Sequence, residues 1–157
     1  ICKKFNLDKK IWGYDTFEGF LKDNFSENDK DFKTGKKITY SDQDLFFSIE
    51  DVKKNIIKND INSFNKYVLI KGDVMKTLNE KNNIPNKISF LRLDTDIYKT
   101  TKKQLEKLFC RLVSGGVLHI DDYGICPGVK KAVDEFFIDE NIWLHRVDLT
   151  CRYMIKK

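Results

Sequence analysis

The apolar residues of this chain fall into short runs separated by polar stretches, and their spacing indicates alternating strands and helices. Near-continuous apolar runs, which are typical of buried strands, cover residues 11–14, 67–70, 88–93 and 117–120. Two further strand-like segments, 142–147 and 152–155, are predicted to pair in antiparallel fashion. The pattern predicts a single α/β domain over residues 1–157, with a mostly parallel sheet and an antiparallel C-terminal edge strand.

The segments between these runs carry apolar residues at helical spacing. Ser48 and Asp51 form a capping box ahead of one such segment, and Asp73 is a predicted cap for a short helix. Another helix is predicted to carry its apolar face at Leu105, Leu108, Phe109 and Leu112. A turn is predicted at residues 114–116, and the last helix is predicted to begin near Pro127.

The charge pattern argues against a nucleic-acid-binding surface. The sequence has 29 Lys+Arg and 24 Asp+Glu, a net charge of +5, but its lysines are scattered rather than clustered. The longest apolar stretches are far shorter than the roughly 20 residues of a membrane span. The polar stretch through Lys37 is typical of a surface loop. We therefore expect neither nucleic acid nor a membrane span, whereas a homo-oligomer is left open.

The four cysteines indicate a reducing environment. They form no C-x-x-C pair, and two lie in apolar runs, which favours reduced, buried thiols over a zinc site or disulfides. A cytoplasmic location is predicted on that ground. The chain opens with Ile1 and without a targeting leader, so the true N-terminus is expected to be missing.

Two acidic clusters follow consecutive predicted strands, and they are the main candidates for chemistry. Asp94 and Asp96 follow the strand at 88–93, and Asp121 and Asp122 follow the strand at 117–120. Parallel strands present their carboxyl ends at one sheet edge, where open α/β sheets bind ligands. Magnesium prefers such oxygen ligands, so Asp94, Asp121 and Asp122 are candidate metal ligands. The alternative is that these carboxylates cap the helices that follow.

Acidic residues near the earlier strands are candidates for cofactor binding. Asp15 follows the first strand, a position from which a carboxylate accepts hydrogen bonds from the ribose of an adenosine cofactor, although the residues alone favour a surface or turn Asp there. Gly72 and Asp73 are candidates for lining an adenine pocket, or simply a strand breaker and a helix cap. His119 shares a strand face with Asp121, and a core histidine with a satisfied ring nitrogen is favoured over a site residue.

Several strings together resemble the macrocin O-methyltransferase family. They are Gly13-Tyr14-Asp15-Thr16-Phe17-Glu18-Gly19, Leu91-Arg92-Leu93-Asp94-Thr95-Asp96-Ile97-Tyr98, Gly115-Gly116-Val117, Ile120-Asp121-Asp122-Tyr123-Gly124 and Ala132-Val133-Asp134-Glu135-Phe136-Phe137. Their order and spacing agree with the family from Ile11 to the C-terminus. The joint match is far more specific than any one string.

The resemblance implies a class I methyltransferase with a Rossmann-like sheet. It implies an enzyme that uses S-adenosyl-L-methionine and Mg²⁺ to methylate a sugar hydroxyl of a glycan or glycosylated metabolite. By position, Asp94, Asp121 and Asp122 match the family's metal ligands. Asp94 also matches its proposed catalytic base, and Asp15 matches the acid that holds the cofactor ribose.

The resemblance also implies a first strand and a glycine-rich turn ahead of Ile11, where this chain has only ten residues. We therefore expect an N-terminally truncated domain with a gap in mid-sheet and weak binding of S-adenosyl-L-methionine. Two alternatives are kept. One is a metal-dependent glycosyltransferase that uses Asp94-Thr95-Asp96 to grip a nucleotide sugar through a cation, and the other is a non-catalytic remnant of the methyltransferase fold.

Overall fold

Strands and helices alternate along the chain and group into two units. The computed structural model describes residues 7–31, 33–38 and 47–157, with the backbone alone for residues 60–63. The first unit lies within residues 1–20 and 41–73, and the second within residues 21–40 and 74–157. The organisation of the chain as a single domain stays a prediction.

The first unit contains a two-stranded parallel sheet and a helix. Strands β1 (Ile11–Asp15) and β2 (Tyr67–Lys71) pair with Asp15 opposite Lys71. Helix α1 (Ile49–Asp60) and a 3-10 turn (Ile61–Lys66) precede β2 along the chain. The two predicted strands are therefore present, and their carboxyl ends meet at one edge.

Helix α1 begins at the predicted cap. The Ser48 hydroxyl oxygen accepts a hydrogen bond from the Asp51 backbone N–H at 3.2 Å and lies 2.6 Å from the Asp51 carboxylate, to which it donates. In a full capping box the carboxylate returns to the backbone N–H of the cap residue, whereas here it returns to the hydroxyl. The side chain still satisfies one of the free N–H groups of the first turn.

The second unit contains a four-stranded sheet with helices between its strands. In chain order the elements are α2 (Val74–Thr77), β3 (Ile88–Leu93), α3 (Tyr98–Leu108), β4 (Leu112–Ile120), α4 (Pro127–Phe136), β5 (His145–Arg146) and β6 (Arg152–Ile155). The strand order is β3-β4-β6-β5, with β3 and β4 parallel and β6 antiparallel to both of its neighbours. This confirms a mostly parallel α/β architecture with an antiparallel C-terminal edge. Strands β1 and β3 belong to separate hydrogen-bonded sheets.

The predicted turn at residues 114–116 is wrong, because these residues lie inside β4. Ile88 pairs with Leu112 and Phe90 with Val117, so residues 113–116 lie opposite Ser89 alone. Gly115 has a φ of +76°, which favours glycine. Its N–H donates to the Lys156 carbonyl, and the Lys156 N–H donates to the Gly116 carbonyl. A glycine pair that indicates a turn thus forms an irregularity within a strand.

One face of the larger sheet forms the core with α3 and α4. The buried strand residues include Leu91, Leu93, Leu112, Leu118, Ile120 and Met154, and the buried helix residues include Leu105, Leu108, Val129, Ala132 and Val133. Burial of each large aliphatic side chain stabilises the fold by roughly 1.5–3 kcal/mol. This packing fixes the carboxyl ends of β3 and β4, from which the acidic clusters extend.

The polar stretch through Lys37 is mostly exposed or half-buried in its described part, in agreement with the predicted surface loop, but it contains a fully buried carboxylate, Asp29. Cys110 is exposed rather than buried, while Cys126 and Cys151 are half-buried and all three are free thiols. Cys2 lies outside the described residues. No helix in the described part of the chain is long and apolar enough to cross a membrane.

Candidate functional site

The carboxylates that follow β3 and β4 converge at one sheet edge. Leu93 pairs with Ile120, and the Asp121 N–H donates to the Leu93 carbonyl at 2.9 Å, which extends the parallel ladder past the strand ends. One oxygen from each of Asp94, Asp121 and Asp122 lies within 4.8 Å of the other two. The structure thus brings together the three residues selected from the sequence, and their role as metal ligands stays a prediction.

Arg92 supplies a positive charge inside this cluster. Its Nη2 atom donates to Asp121 Oδ2 and lies 3.0 Å from Asp94 Oδ2. Arg92 and Asp94 lie two residues apart in an extended segment, so their side chains lie on the same face. That spacing is a sequence signal by which Arg92 could have been identified.

The pKa of Asp121 lies below that of an ordinary Asp. Partial burial acts to raise its pKa, but hydrogen bonds from Cys151 and Arg92 outweigh burial and hold the pKa at about 2. Cys151 Sγ donates to Asp121 Oδ1 at 2.9 Å. Cys151 lies 30 residues further along the chain, so only the pairing of β6 with β4 reveals this contact.

Asp96 lies beside the three candidate ligands in an opposite electrostatic state. Burial, followed by a hydrogen bond to Asp122 and the charges of the neighbouring carboxylates, raises the pKa of Asp96 to about 7. The backbones of Asp96 and Asp122 are both left-handed, with φ of 60° and 55°. Asp adopts this conformation more readily than most residues, although it remains uncommon, and such strain is concentrated at functional sites.

The alternative role of these carboxylates as helix caps is not seen. Ile97 occupies the N-cap position of α3 without a side-chain cap, and the Tyr98 N–H donates instead to Asp29 Oδ1 at 2.7 Å. The cap residue of α4 is Cys126, and no side chain caps that helix. The acidic cluster therefore is not explained by helix capping.

The predicted cofactor residues lie at the corresponding edge of the first unit. The Gly72 N–H donates to the Asp15 carbonyl at 2.9 Å, so β1 and β2 bring Asp15 and Gly72 together, and Asp73 follows directly. Asp15 Oδ1 accepts the Phe17 N–H at 2.6 Å, which forms a tight turn after β1. This turn role and a cofactor role are compatible, because a carboxylate has several acceptor positions.

The ring of His119 leaves at least one nitrogen unpaired. Its Nδ1 atom is buried and has no hydrogen-bond partner among the described residues. It pairs across the sheet with Arg92 on β3 and Tyr153 on β6. Two tyrosines that follow the acidic clusters donate hydrogen bonds to acids on α4, Tyr98 to Glu135 at 2.5 Å and Tyr123 to Asp134 at 2.6 Å.

Solved structures place this fold among the class I methyltransferases. The O-methyltransferase NovP superposes with a TM-score of 0.84 at 26% sequence identity, covering 100% of this chain and 64% of the other. The calicheamicin methyltransferase CalS11 has a TM-score of 0.69 at 19% identity, over 93% of this chain and 60% of the other, which supports the fold alone.

The chain belongs to the macrocin O-methyltransferase family. The family model described as Macrocin-O-methyltransferase (TylF) matches residues 2–156. Mycinamicin III 3''-O-methyltransferase of Micromonospora griseorubida is 29% identical over 143 residues, which are 87% of this chain and 52% of that protein. Demethyldecarbamoylnovobiocin O-methyltransferase of Streptomyces niveus is 41% identical over 49 residues, 31% of this chain and 19% of that protein. This chain therefore spans about half the length of the mycinamicin enzyme.

Proposed function

We propose that the chain is part of an S-adenosyl-L-methionine-dependent, Mg²⁺-assisted O-methyltransferase that acts on a sugar hydroxyl of a glycan or glycosylated metabolite. Family membership and the O-methyltransferase names of the relatives support methyl transfer to oxygen. The observation that carries the metal-assisted part is the convergence of Asp94, Asp121 and Asp122 within 4.8 Å.

The donor set fits magnesium. All three side chains offer hard carboxylate oxygens, which Mg²⁺ prefers over nitrogen or sulfur. Oxygens bound to one Mg²⁺ at about 2.1 Å lie roughly 3–4 Å apart, so a modest inward movement of the carboxylates suffices. Asp94 and Asp121 would hold the ion from two strand ends, and Asp122 from the turn after β4.

The cofactor role is proposed for residues of the first unit. Asp15 would accept hydrogen bonds from the ribose hydroxyls, while Gly72 and Asp73 would line the adenine. Gly72 has a φ of 138°, which other residues rarely adopt, and its small size leaves room beside the backbone. When bound, this cofactor supplies the electrophilic methyl group.

The chemistry requires a proton to leave the sugar hydroxyl as the methyl group arrives. When bound, magnesium supplies positive charge that lowers the pKa of a hydroxyl in contact with it. Asp94 is the proposed base, since burial and the neighbouring acids Asp121 and Asp122 raise its pKa above that of an ordinary Asp. A carboxylate held in place beside the hydroxyl contributes by orientation as well as by basicity.

Replacing one ligand tests the metal-assisted reaction. Asp121→Asn should lower Mg²⁺-dependent methyl transfer by at least roughly 100-fold, since metal charge stabilisation is worth several kcal/mol. The measurement is transfer of labelled methyl from S-adenosyl-L-methionine to sugar acceptors by the full-length protein, with and without chelator. Asp139→Asn, at an exposed carboxylate, is the matched control.

Three outcomes separate the readings. Loss of turnover in Asp121→Asn and in chelator, with Asp139→Asn active, supports the proposal. Turnover that is indifferent to both chelator and Asp121 would remove the metal. Absence of any methyl transfer by the full-length protein would favour the non-catalytic remnant.

The glycosyltransferase alternative receives less support from the site. Thr95 Oγ1 lies 2.8 Å from Thr100 Oγ1 and 3.0 Å from Gln104 Nε2, both on α3, and Asp96 bonds to Asp122. Family membership also favours methyl transfer. A nucleotide sugar that raises the melting temperature with Mn²⁺, while S-adenosyl-L-methionine has no effect, would reverse this preference.

A further inference from the structure

One cationic side chain already lies among the proposed metal ligands. A single nitrogen of Arg92, Nη2, contacts Asp121 Oδ2 by a hydrogen bond and Asp94 Oδ2 at 3.0 Å. This nitrogen bridges two carboxylates that come from neighbouring strands. A metal ion bound by both Asp94 and Asp121 would use the same two carboxylates as this nitrogen does.

We infer that Arg92 competes with the divalent cation for Asp94 and Asp121, and so sets the metal affinity of the proposed site. This inference rests on the proposed function. Arg92 would be a positioning residue, because it acts on the metal through the carboxylates and need not touch the substrate.

Charge makes the competition unavoidable. The guanidinium group stays protonated at any working pH, and two cations a few ångströms apart repel each other. Its contact with Asp121 is the closer of its two ion pairs, and it also lies 3.0 Å from Asp94. A cation bound by the same two carboxylates therefore weakens one or both of these contacts through charge repulsion.

The exposure of Arg92 makes release of these contacts feasible. Its side chain is 52% exposed, whereas the side chain of Asp121 is only 15% exposed. The guanidinium group can therefore move into water while the carboxylate keeps its place. A buried arginine would have to lose its partners without gaining solvent, which costs far more.

Removing the charge of Arg92 should raise the metal affinity of the site, whereas removing a carboxylate ligand should lower it. Without Arg92, Asp94 and Asp121 would lose the positive charge that lies between them, with Asp122 close by. Such an arrangement repels itself and gains more from a bound dication. A residue that merely supports the fold of the site would lower metal affinity when replaced, so the sign of the change distinguishes the two roles.

The test is titration of the purified chain with Mg²⁺ and Mn²⁺ by calorimetry. Arg92→Gln should bind the metal roughly tenfold more tightly than the unaltered chain, since one unit charge at contact distance is removed. Metal should also raise the melting temperature of Arg92→Gln more than that of the unaltered chain. Arg92→Lys, which keeps the charge but loses the planar fork, should fall between the two.

The control is Arg146→Gln on β5, whose guanidinium contacts the Asp148 carbonyl instead of this cluster. It should leave metal affinity unchanged. Equal or weaker binding in Arg92→Gln would overturn the inference while leaving the proposed function intact. If Arg92→Gln fails to fold, Arg92→Lys must still bind metal more tightly than the unaltered chain, or the inference falls. Absence of metal binding in every variant would overturn both the inference and the metal-assisted part of the proposed function.

Discussion

At the scale of single residues, the acidic cluster shows how neighbouring groups give two aspartates very different pKa values. Asp121 has a pKa of about 2 because hydrogen bonds from Cys151 and Arg92 outweigh its partial burial. The pKa of Asp96 is about 7 because burial and nearby negative charge favour its protonated form. At neutral pH one carboxylate is fully ionised while the other is near its midpoint.

The raised pKa of Asp96 predicts a pH-dependent stability. Between pH 4 and 7 the folded state holds a proton that the unfolded state has lost, so Asp96 reduces stability progressively as pH rises through this window. Asp96→Asn removes this effect and keeps a side chain suited to a φ of 60°. We expect Asp96→Asn to raise the melting temperature clearly at pH 8 and only slightly at pH 4.5, measured in chelator.

Asp139→Asn, at an exposed position, is the control for that measurement. It should show little dependence on pH relative to the unaltered chain. An Asp96→Asn difference of the same size at both pH values would contradict the assigned cause.

Residue-scale predictions from sequence succeeded where chain order alone decided the outcome. Asp94 and Asp121 meet because consecutive parallel strands end at one edge. The thiol of Cys151 and the unsatisfied Nδ1 of His119 depend on the register of β6 and on side-chain packing. No local pattern encodes either of them.

At the scale of elements, α3 is capped by a residue from a distant loop. Asp29 is 1% exposed, and its two oxygens accept hydrogen bonds from Tyr98 N and from the backbone and hydroxyl of Ser26, all between 2.7 and 2.8 Å. Gly128 at the start of α4 leaves room for it, since a Cβ there would lie 2.1 Å from Asp29 Oδ1. The carboxylate thus joins a loop to the first turns of two helices.

Asp29→Ala should therefore lower the free energy of unfolding by about 2–3 kcal/mol, through the lost cap and the buried N–H groups left unpaired. Urea denaturation measures this loss. Asp31→Ala is the matched control, since Asp31 is exposed and bonds only within its own turn. A similar loss in both variants would mean that the cap at α3 contributes little.

The order of elements in the second unit was predictable because periodicity changes clearly between strands and helices. Strand β3 and the start of α4 at Pro127 agree with prediction. The pair Gly115-Gly116 indicated a turn because glycine marks turns and strand irregularities alike. Only the partner strands decide between them, and here β3 and β6 hold that segment in β4.

At the scale of the whole molecule, the proposed cofactor residues and the proposed metal ligands belong to different units. Asp15, Gly72 and Asp73 lie in the first unit, and Asp94, Asp121 and Asp122 in the second. Their common purpose was inferred from the family resemblance, because strand periodicity carries no information about a shared ligand. The strings that resemble the family supplied this inference, and the family model that matches residues 2–156 confirms the family.

The separation predicts that binding of the two ligands can be altered independently. Asp15→Asn should weaken binding of S-adenosyl-L-methionine by roughly tenfold or more, as expected for a lost charged hydrogen bond, while Mg²⁺ affinity stays unchanged. Calorimetry with each ligand measures both.

Asp8→Asn is the control, because Asp8 is fully exposed and its ion pair with Lys66, at 3.4 Å, lies outside the proposed site. Tight, stoichiometric binding of S-adenosyl-L-methionine to the chain would contradict the expectation of weak binding. A parallel loss of Mg²⁺ affinity in Asp15→Asn would contradict the prediction that binding of the two ligands can be altered independently.

The left-handed backbones of Asp96 and Asp122 constrain how this region can vary. Glycine or asparagine would relax both positions, and a protein selected for robustness alone would drift toward them. Aspartate at position 122 keeps some backbone strain and provides a carboxylate there. Laboratory selection for heat tolerance would therefore be expected to erode the turn after β4 early, so variants intended to keep a working enzyme should hold residue 122 fixed.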